Sequence, residues 1–196
     1  MENENYLFYK MDNKEASKIF NSNLLNNDLI YYLWKPKHCL DIYPSGFSKV
    51  LKNMRSHPII NLFYWRMLGF SMSFKKSYAI LIIKEKNTEE IIHFNVVLPK
   101  NYRSPFLKKN DLILGPVWTH EKYRKKGILR FSISYIYAQL KESNRAFWWV
   151  CNEENKSSRY SIEKIGFSLI GEGTIKNNNK IKIFSYFNLN ERRKIN

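Results

Sequence analysis

The spacing of apolar and polar positions divides the chain into a series of elements. Tyr6 to Met11 reads as a short opening strand. Asn13 to Leu25 reads as a helix capped by Asp12 or Asn13, with Ala16, Ile19, Phe20 and Leu24 on one face. From Leu29 to Phe74 the chain is rich in Tyr, Trp and Phe and is broken by Pro36, Pro44 and Pro58. No element boundary can be drawn there, and its aromatic residues suit either a core or the wall of an acceptor pocket. Beyond Ser77 the pattern sharpens. Tyr78–Lys84 and Glu90–Leu98 are β-rich runs joined by the polar turn Glu85–Glu89, the signature of an antiparallel hairpin. After a loop from Pro99 to Asn110, Asp111–Thr119 is near-continuously apolar, as expected of a strand buried on both faces.

Gly127–Lys141 predicts a helix, because Leu129, Ile133, Ile136 and Leu140 fall on one stripe. Ala146–Cys151 predicts another buried strand. Lys156–Ile165 predicts a helix framed by Asn155 and Gly166, the residue types preferred before and after a helix. Phe167–Thr174 and Lys180–Asn188 close as a hairpin around the turn at 177–179. Strands, helix, strand, helix and hairpin in that order predict a mixed α/β domain, α+β-like in its layering. It spans residues 1–190, and a polar tail follows at 191–196.

Composition changes this picture in one respect. Of 196 residues, 44% are hydrophobic and 16% aromatic, enough for a substantial core and incompatible with disorder or a disulfide scaffold. Lys and Arg number 33 against 17 Asp and Glu, a formal charge of +16. Such a surface attracts polyanions. The chain also holds 22 Asn, 21 Ile and 24 Lys, whose codons are rich in A and T, so a biased genome is a competing cause. The basic residues are scattered, which favours a small anionic partner over nucleic acid. Cys39 and Cys151 match no metal spacing, and no metal is expected. The N-terminal MENENYLFYK lacks the pattern of a signal peptide, and the apolar runs are too short to cross a bilayer. A cytoplasmic protein with no membrane partner is expected, and a homodimer is compatible with the sequence.

The chemistry lies between Leu112 and Phe167. A buried strand ends at Thr119, and Arg124-Lys-Lys-Gly127-Ile-Leu129 opens the amphipathic helix. The first turn of a helix presents unpaired N–H groups and positive dipole potential, which together stabilise an anion. Gly127 allows close backbone approach, and Arg124, Lys125 and Lys126 add positive charge. The physical content is a seat for a diphosphate.

Residues Thr119 to Ile128, THEKYRKKGI, resemble the acyl-CoA motif of the GCN5-related N-acetyltransferase (GNAT) family, commonly V-x-P-x-Y-R-G-K-G-I. Downstream, Asn155, Ser158, Lys164, Gly166 and Phe167 fall on that family's N-x-x-A/S-x-x-x-Y-x-K-x-G-F pattern. The resemblance covers residues 77–188, and residues 1–76 would be a variable acceptor-side part. It implies a central mixed β-sheet of about six or seven strands flanked by helices. Acetyl-CoA would bind where two parallel strands, here Asp111–Thr119 and Ala146–Cys151, splay apart. Three departures stand out: Leu129 replaces a small residue of the loop, Ile162 stands where many members carry a tyrosine general acid, and Glu121 replaces a proline. Tyr160 lies about 200° around the helix from Ile162 and is no obvious substitute.

What the resemblance implies for individual residues follows. Val117, Trp118, Thr119, Arg124, Lys125, Lys126, Gly127, Ile128, Leu129, Asn152, Asn155 and Ser158 would contact acetyl-CoA. A backbone N–H near Val117 or Trp118 would receive the oxyanion. Gly115-Pro116 reads as a bulge in the splayed strand or as a kink in an edge strand. An amine would attack the thioester directly, with His120 or His93 as base, although a histidine in a strand can equally be a hydrogen-bonded core residue. Asp111 and Glu121 are lesser candidates. Trp118, Trp148 and Trp149 suit the core or an acceptor-binding wall. The run I-L-G-P-V-W-T-H followed by Y-R-x-x-G-I looks like acetyltransferase-like proteins associated with bacterial surface-polysaccharide synthesis. A nucleotide-linked amino sugar as acceptor would agree in sign with the charge. Protein, peptide or small-molecule amines are alternatives, as is a non-catalytic module that binds CoA or nucleic acid.

Overall fold

The computed structural model describes residues 4–12, 16, 28–37, 41, 44–47, 50, 77–177 and 185–191. Its strands are β1 (Asn5–Asp12), β2 (Leu29–Trp34), β3 (Ala79–Glu85), β4 (Ile91–Pro99), β5 (Leu112–Thr119), β6 (Ala146–Asn152), β7 (Ser168–Asn177) and β8 (Ser185–Glu191). Helix α1 spans Ile128–Leu140 and α2 spans Lys156–Ile165. Hydrogen bonding orders the strands β2-β3-β4-β5-β6-β1-β7-β8, a mixed α/β architecture that is mostly antiparallel. Among the described residues eight strands stand where six or seven were expected, the addition being β2 in the unparsed aromatic stretch. Apart from Ala16, the helix expected over Asn13–Leu25 lies outside the described residues, as do the turn after Asn177 and the tail at 192–196.

The chain forms two compact units. One comprises Met1–Asn21, Pro99–Gly115 and Tyr137–Asn196; the other comprises Ser22–Leu98 and Pro116–Ile136. The division falls inside β5, between Gly115 and Pro116, and inside α1, between Ile136 and Tyr137.

In the first unit β1 lies between β6 and β7, antiparallel to both, with Tyr9 opposite Trp149 and Leu7 opposite Cys151. Strands β5 and β6 run parallel, but among the described residues they pair only at Leu112↔Phe147 and Ile113↔Trp148. The core here is Leu7, Phe8, Tyr9, Met11, Phe147, Ile162, Ile165 and Phe167. Two polar groups tie its loops. Asp111, 1% exposed, accepts from Lys108 N, Ala146 N and Trp148 Nε1 at 3.0–3.2 Å, which makes it a fastener between β5 and β6. Arg145 donates to the Leu140 and Asn110 carbonyls and pairs with Glu142 at 2.7 Å, filling the acceptors left open at the end of α1.

In the second unit β2, β3, β4 and the outer half of β5 form a small sheet. Ala79 to Ile83 are all fully buried, and the expected hairpin of β3 and β4 pairs Ala79↔Val97 through Lys84↔Ile91. Side chains alternate across a strand. One face, carrying Ile80, Ile82, Phe94 and Val96, joins Phe47, Val50 and Tyr78 in a cluster bordered by Trp34 and Trp118. The opposite face carries Leu81, Ile83, His93 and Asn95 and meets α1, through Asn95–Ser132 and through Tyr31, whose ring packs edge-on against Phe131 and Tyr135. The buried stripe of α1 is broader than the sequence suggested. Ile128, Phe131, Ser132, Ile133, Ser134, Ile136, Tyr137 and Leu140 are all buried, whereas Leu129 is only half-buried.

The expectation that all of β5 is buried on both faces is corrected. Leu112, Ile113 and Leu114 are buried, but Pro116 is exposed and Val117, Trp118 and Thr119 are half-buried. The change falls at Gly115, whose φ of 130° is a conformation that L side chains rarely adopt. Pro116 then removes a ladder donor. A break of this kind fits the bulge reading of Gly115-Pro116.

Candidate functional site

The loop that joins β5 to α1 is built from side-chain clamps and an unusual backbone. His120 caps the short 3-10 turn Glu121–Tyr123: its Nδ1 accepts from Lys122 N at 3.3 Å, and its own N–H donates to the Ile92 carbonyl at 2.8 Å. Arg124 Nε donates to the Thr119 carbonyl at 3.2 Å, tying the loop to the strand that precedes it. Tyr123 donates its hydroxyl to Glu85 Oε1 at 2.5 Å, and Thr88 Oγ1 donates to Glu85 at 2.8 Å. That shared proton raises the Tyr123 hydroxyl above its ordinary pKa and lowers the Glu85 carboxyl. Lys126 lies 5.2 Å over the Tyr123 ring.

Two of three successive loop residues are left-handed: Lys125 at φ 62° and Gly127 at φ 78°. A β-carbon on Gly127 would meet nothing within 4 Å, so glycine is needed there for its backbone freedom rather than for space. Lys125 lacks that freedom, and the same conformation costs it about 1 kcal/mol. Sequence reasoning missed this. The family form carries glycine at that position, so the lysine was a fourth departure, legible in the motif but not weighed. Alternation of left-handed residues turns successive backbone N–H groups into a concavity suited to an anion. Arg124, Lys125, Lys126 and Gly127 are all exposed, while Ile128 is 4% exposed and anchors the start of α1 in the core.

In the same unit His93 is fully buried. Its Nδ1 lies 2.8 Å from Thr119 Oγ1, and its Nε2 has no partner among the described residues. Burial pushes its pKa down to about 3. Trp118 stacks on Phe94 at 6.0 Å and meets His120 edge-on at 6.0 Å. The loop therefore brings Trp118, Thr119 and His120 into one set with His93, a grouping that the sequence left open.

The other candidate residues lie in the first unit. Asn155 caps α2, its side chain accepting from Ser158 N at 3.1 Å. Ser158 Oγ accepts from Trp149 Nε1 at 2.9 Å. Asn152 turns its side chain onto Glu154 N at 2.8 Å. Cys151 is 7% exposed, and burial raises its thiol pKa, which keeps it protonated. Trp148 and Trp149 are 5% and 7% exposed, both core residues. Ile162 is fully buried, so its side chain presents nothing to a ligand, and Tyr160 is 67% exposed beside Lys164. Among the described residues, no group of three or more His, Cys, Asp or Glu could hold a metal ion.

This architecture is shared with solved structures. A tandem GNAT protein from the clavulanic acid biosynthesis pathway matches with TM-score 0.62 at 12% identity, over 86% of this chain and 51% of that one. A conserved protein of unknown function from Staphylococcus epidermidis matches with TM-score 0.59 at 9% identity, over 86% of this chain and 59% of that one. An aminoglycoside 6'-N-acetyltransferase from Acinetobacter baumannii matches with TM-score 0.52 at 12% identity, over 71% of this chain and 90% of that one. The chain thus spans little more than half the length of the first two. No curated protein matches the sequence. The fold is that of the GNAT acetyltransferases. The chain belongs to the family described as Protein of unknown function (DUF1248), whose model matches residues 67–192.

Proposed function

We propose that the protein is an acyl-CoA-dependent N-acetyltransferase that passes acetyl from acetyl-CoA to a primary amine by direct attack. The observation that carries this is the loop from His120 to Gly127, where Lys125 and Gly127 have the left-handed backbone suited to an anion-binding concavity and three cations are exposed. These residues would hold the diphosphate, with Arg124 able to make paired contacts. On its side away from β1, β6 pairs with β5 only as far as Trp148 among the described residues. The free edge beyond it suits the amides of the pantetheine arm, which would add as a strand. Asn152 ends that strand, Ser158 is bonded to its Trp149, and both would contact the cofactor.

At the thioester, a backbone N–H of Val117 or Trp118 would meet the developing oxyanion. His120 serves better than His93 as base. His93 is buried and neutral, with its pKa pushed down to about 3, whereas the Nδ1 of His120 is engaged by a long 3.3 Å contact from Lys122 N. The amine proton would pass to that Nδ1 as the C–N bond forms. The C–S bond then breaks to give the amide and the CoA thiolate. With Ile162 buried, that thiolate draws its proton from solvent or leaves as the anion.

The acceptor we infer is an amino sugar carried on an anionic nucleotide. A charge of +16 favours an anion and repels polyamines. The aminoglycoside acetyltransferase of similar fold acts on a sugar-borne amine. A thiol-release screen over nucleotide-linked amino sugars, amino acids, peptides and aminoglycosides tests the reading. Amine-dependent release of free CoA with the nucleotide sugars is expected. Tight acetyl-CoA binding without release for any amine would leave a non-catalytic CoA-binding module.

A further inference from the structure

On the face of β4 that meets α1, two buried side chains each carry an atom with no partner. His93 and Asn95 are both fully buried; among the described residues, His93 Nε2 and Asn95 Oδ1 make no hydrogen bond. Their other polar atoms are engaged, His93 Nδ1 with Thr119 Oγ1 at 2.8 Å and Asn95 Nδ2 with Ser132 Oγ at 3.0 Å. Buried polar groups are almost always satisfied, and when protein atoms do not do it, internal water does. Residues two apart on a strand project to one side about 6.6 Å apart. Two bonds of about 2.8 Å span at most about 5.6 Å, so one water joins the two atoms where the side chains lean toward each other by about 1 Å or more.

We propose that a single internal water bridges His93 Nε2 and Asn95 Oδ1. The hydrogen bonds then run head to tail. The Thr119 hydroxyl donates to Nδ1, Nε2–H donates to the water, the water donates to Asn95 Oδ1, and Asn95 Nδ2 donates to Ser132. Bonds aligned in one sense polarise each other and favour that arrangement over the opposite tautomer of His93. A consequence resting on the acetyl-transfer reading is that Thr119 has spent its hydrogen inward. Its oxygen then offers only lone pairs to a ligand, and accepts from an N–H while rejecting a carbonyl.

The test needs no variant and no ligand. Nitrogen-15 imidazole spectra of the intact protein should show His93 protonated at Nε2 and bare at Nδ1, with a magnetisation-transfer peak from its Hε2 to a long-lived water. A crystal structure should place that water within hydrogen-bond distance of both atoms. A proton on Nδ1, a dry site, or a direct Asn95–His93 bond would each overturn the proposal. Asn95→Leu should abolish the water peak if it folds. Because these readings are made on the free protein, their failure leaves acetyl transfer untouched, and a failed thiol-release screen leaves the water in place.

Discussion

Burial holds His93 neutral, with consequences for stability as well as chemistry. Its pKa falls from 6.5 to about 3 in the folded chain. Between those values the unfolded chain binds the extra proton, so stability is complete above the unfolded pKa and is lost as pH falls through the window. The slope is about 1.4 kcal/mol per pH unit where the difference is full. Denaturant titrations from pH 7 to pH 4 should show this loss, and His93→Leu should flatten it; an equal slope in the variant would contradict the assignment. Lys125 poses the opposite case, a surface residue in a costly backbone state. Lys125→Gly relieves that cost but adds freedom to the unfolded chain, for a net gain of roughly 0.5 kcal/mol. Chemical denaturation should show the variant slightly more stable, while calorimetry should show weaker binding of acetyl-CoA.

At the scale of elements, the loop and the two helix starts carry the residues proposed to bind acetyl-CoA. Gly127→Ala has room for its methyl, so its cost is that of the left-handed backbone alone, about 1 kcal/mol of stability. Asn155→Ala removes the cap of α2 and costs about 1 kcal/mol. Tyr123→Phe cuts the clamp to Glu85 and should weaken acetyl-CoA binding a few-fold with little change in helix content by circular dichroism. Much of this scaffold was legible beforehand. Helix α2 runs over the residues that its caps predicted, and the β3–β4 hairpin followed from two β-rich runs and the polar turn between them, whereas the parallel step from β5 to β6 followed from the family resemblance. Other features left no mark in the pattern. Strand β2 carries Tyr31, Tyr32 and Trp34 without polar alternation, because both its faces are only partly covered. The outer half of β5 looked as apolar as the inner half, yet its exposure depends on Gly115 and on where pairing to β6 stops. Whether His93 was buried or available depended on α1 folding across β4, a long-range contact that local periodicity does not encode.

For the whole molecule, the surplus of positive charge acts at a distance. A net +16 should accelerate capture of anionic ligands, so the association rate of acetyl-CoA should fall steeply as salt rises from low to physiological strength. Stopped-flow mixing at several ionic strengths checks this, and a rate indifferent to salt would show that the scattered charge is incidental. In the proposed function the holding falls to local charge. Titration calorimetry of acetyl-CoA into the intact chain and into an Arg124→Glu/Lys125→Glu variant tests that assignment most directly. Binding of one acetyl-CoA per chain is expected, weakened roughly tenfold or more in a variant whose fold is unchanged. No binding by the parent chain, or equal binding by both, would contradict it.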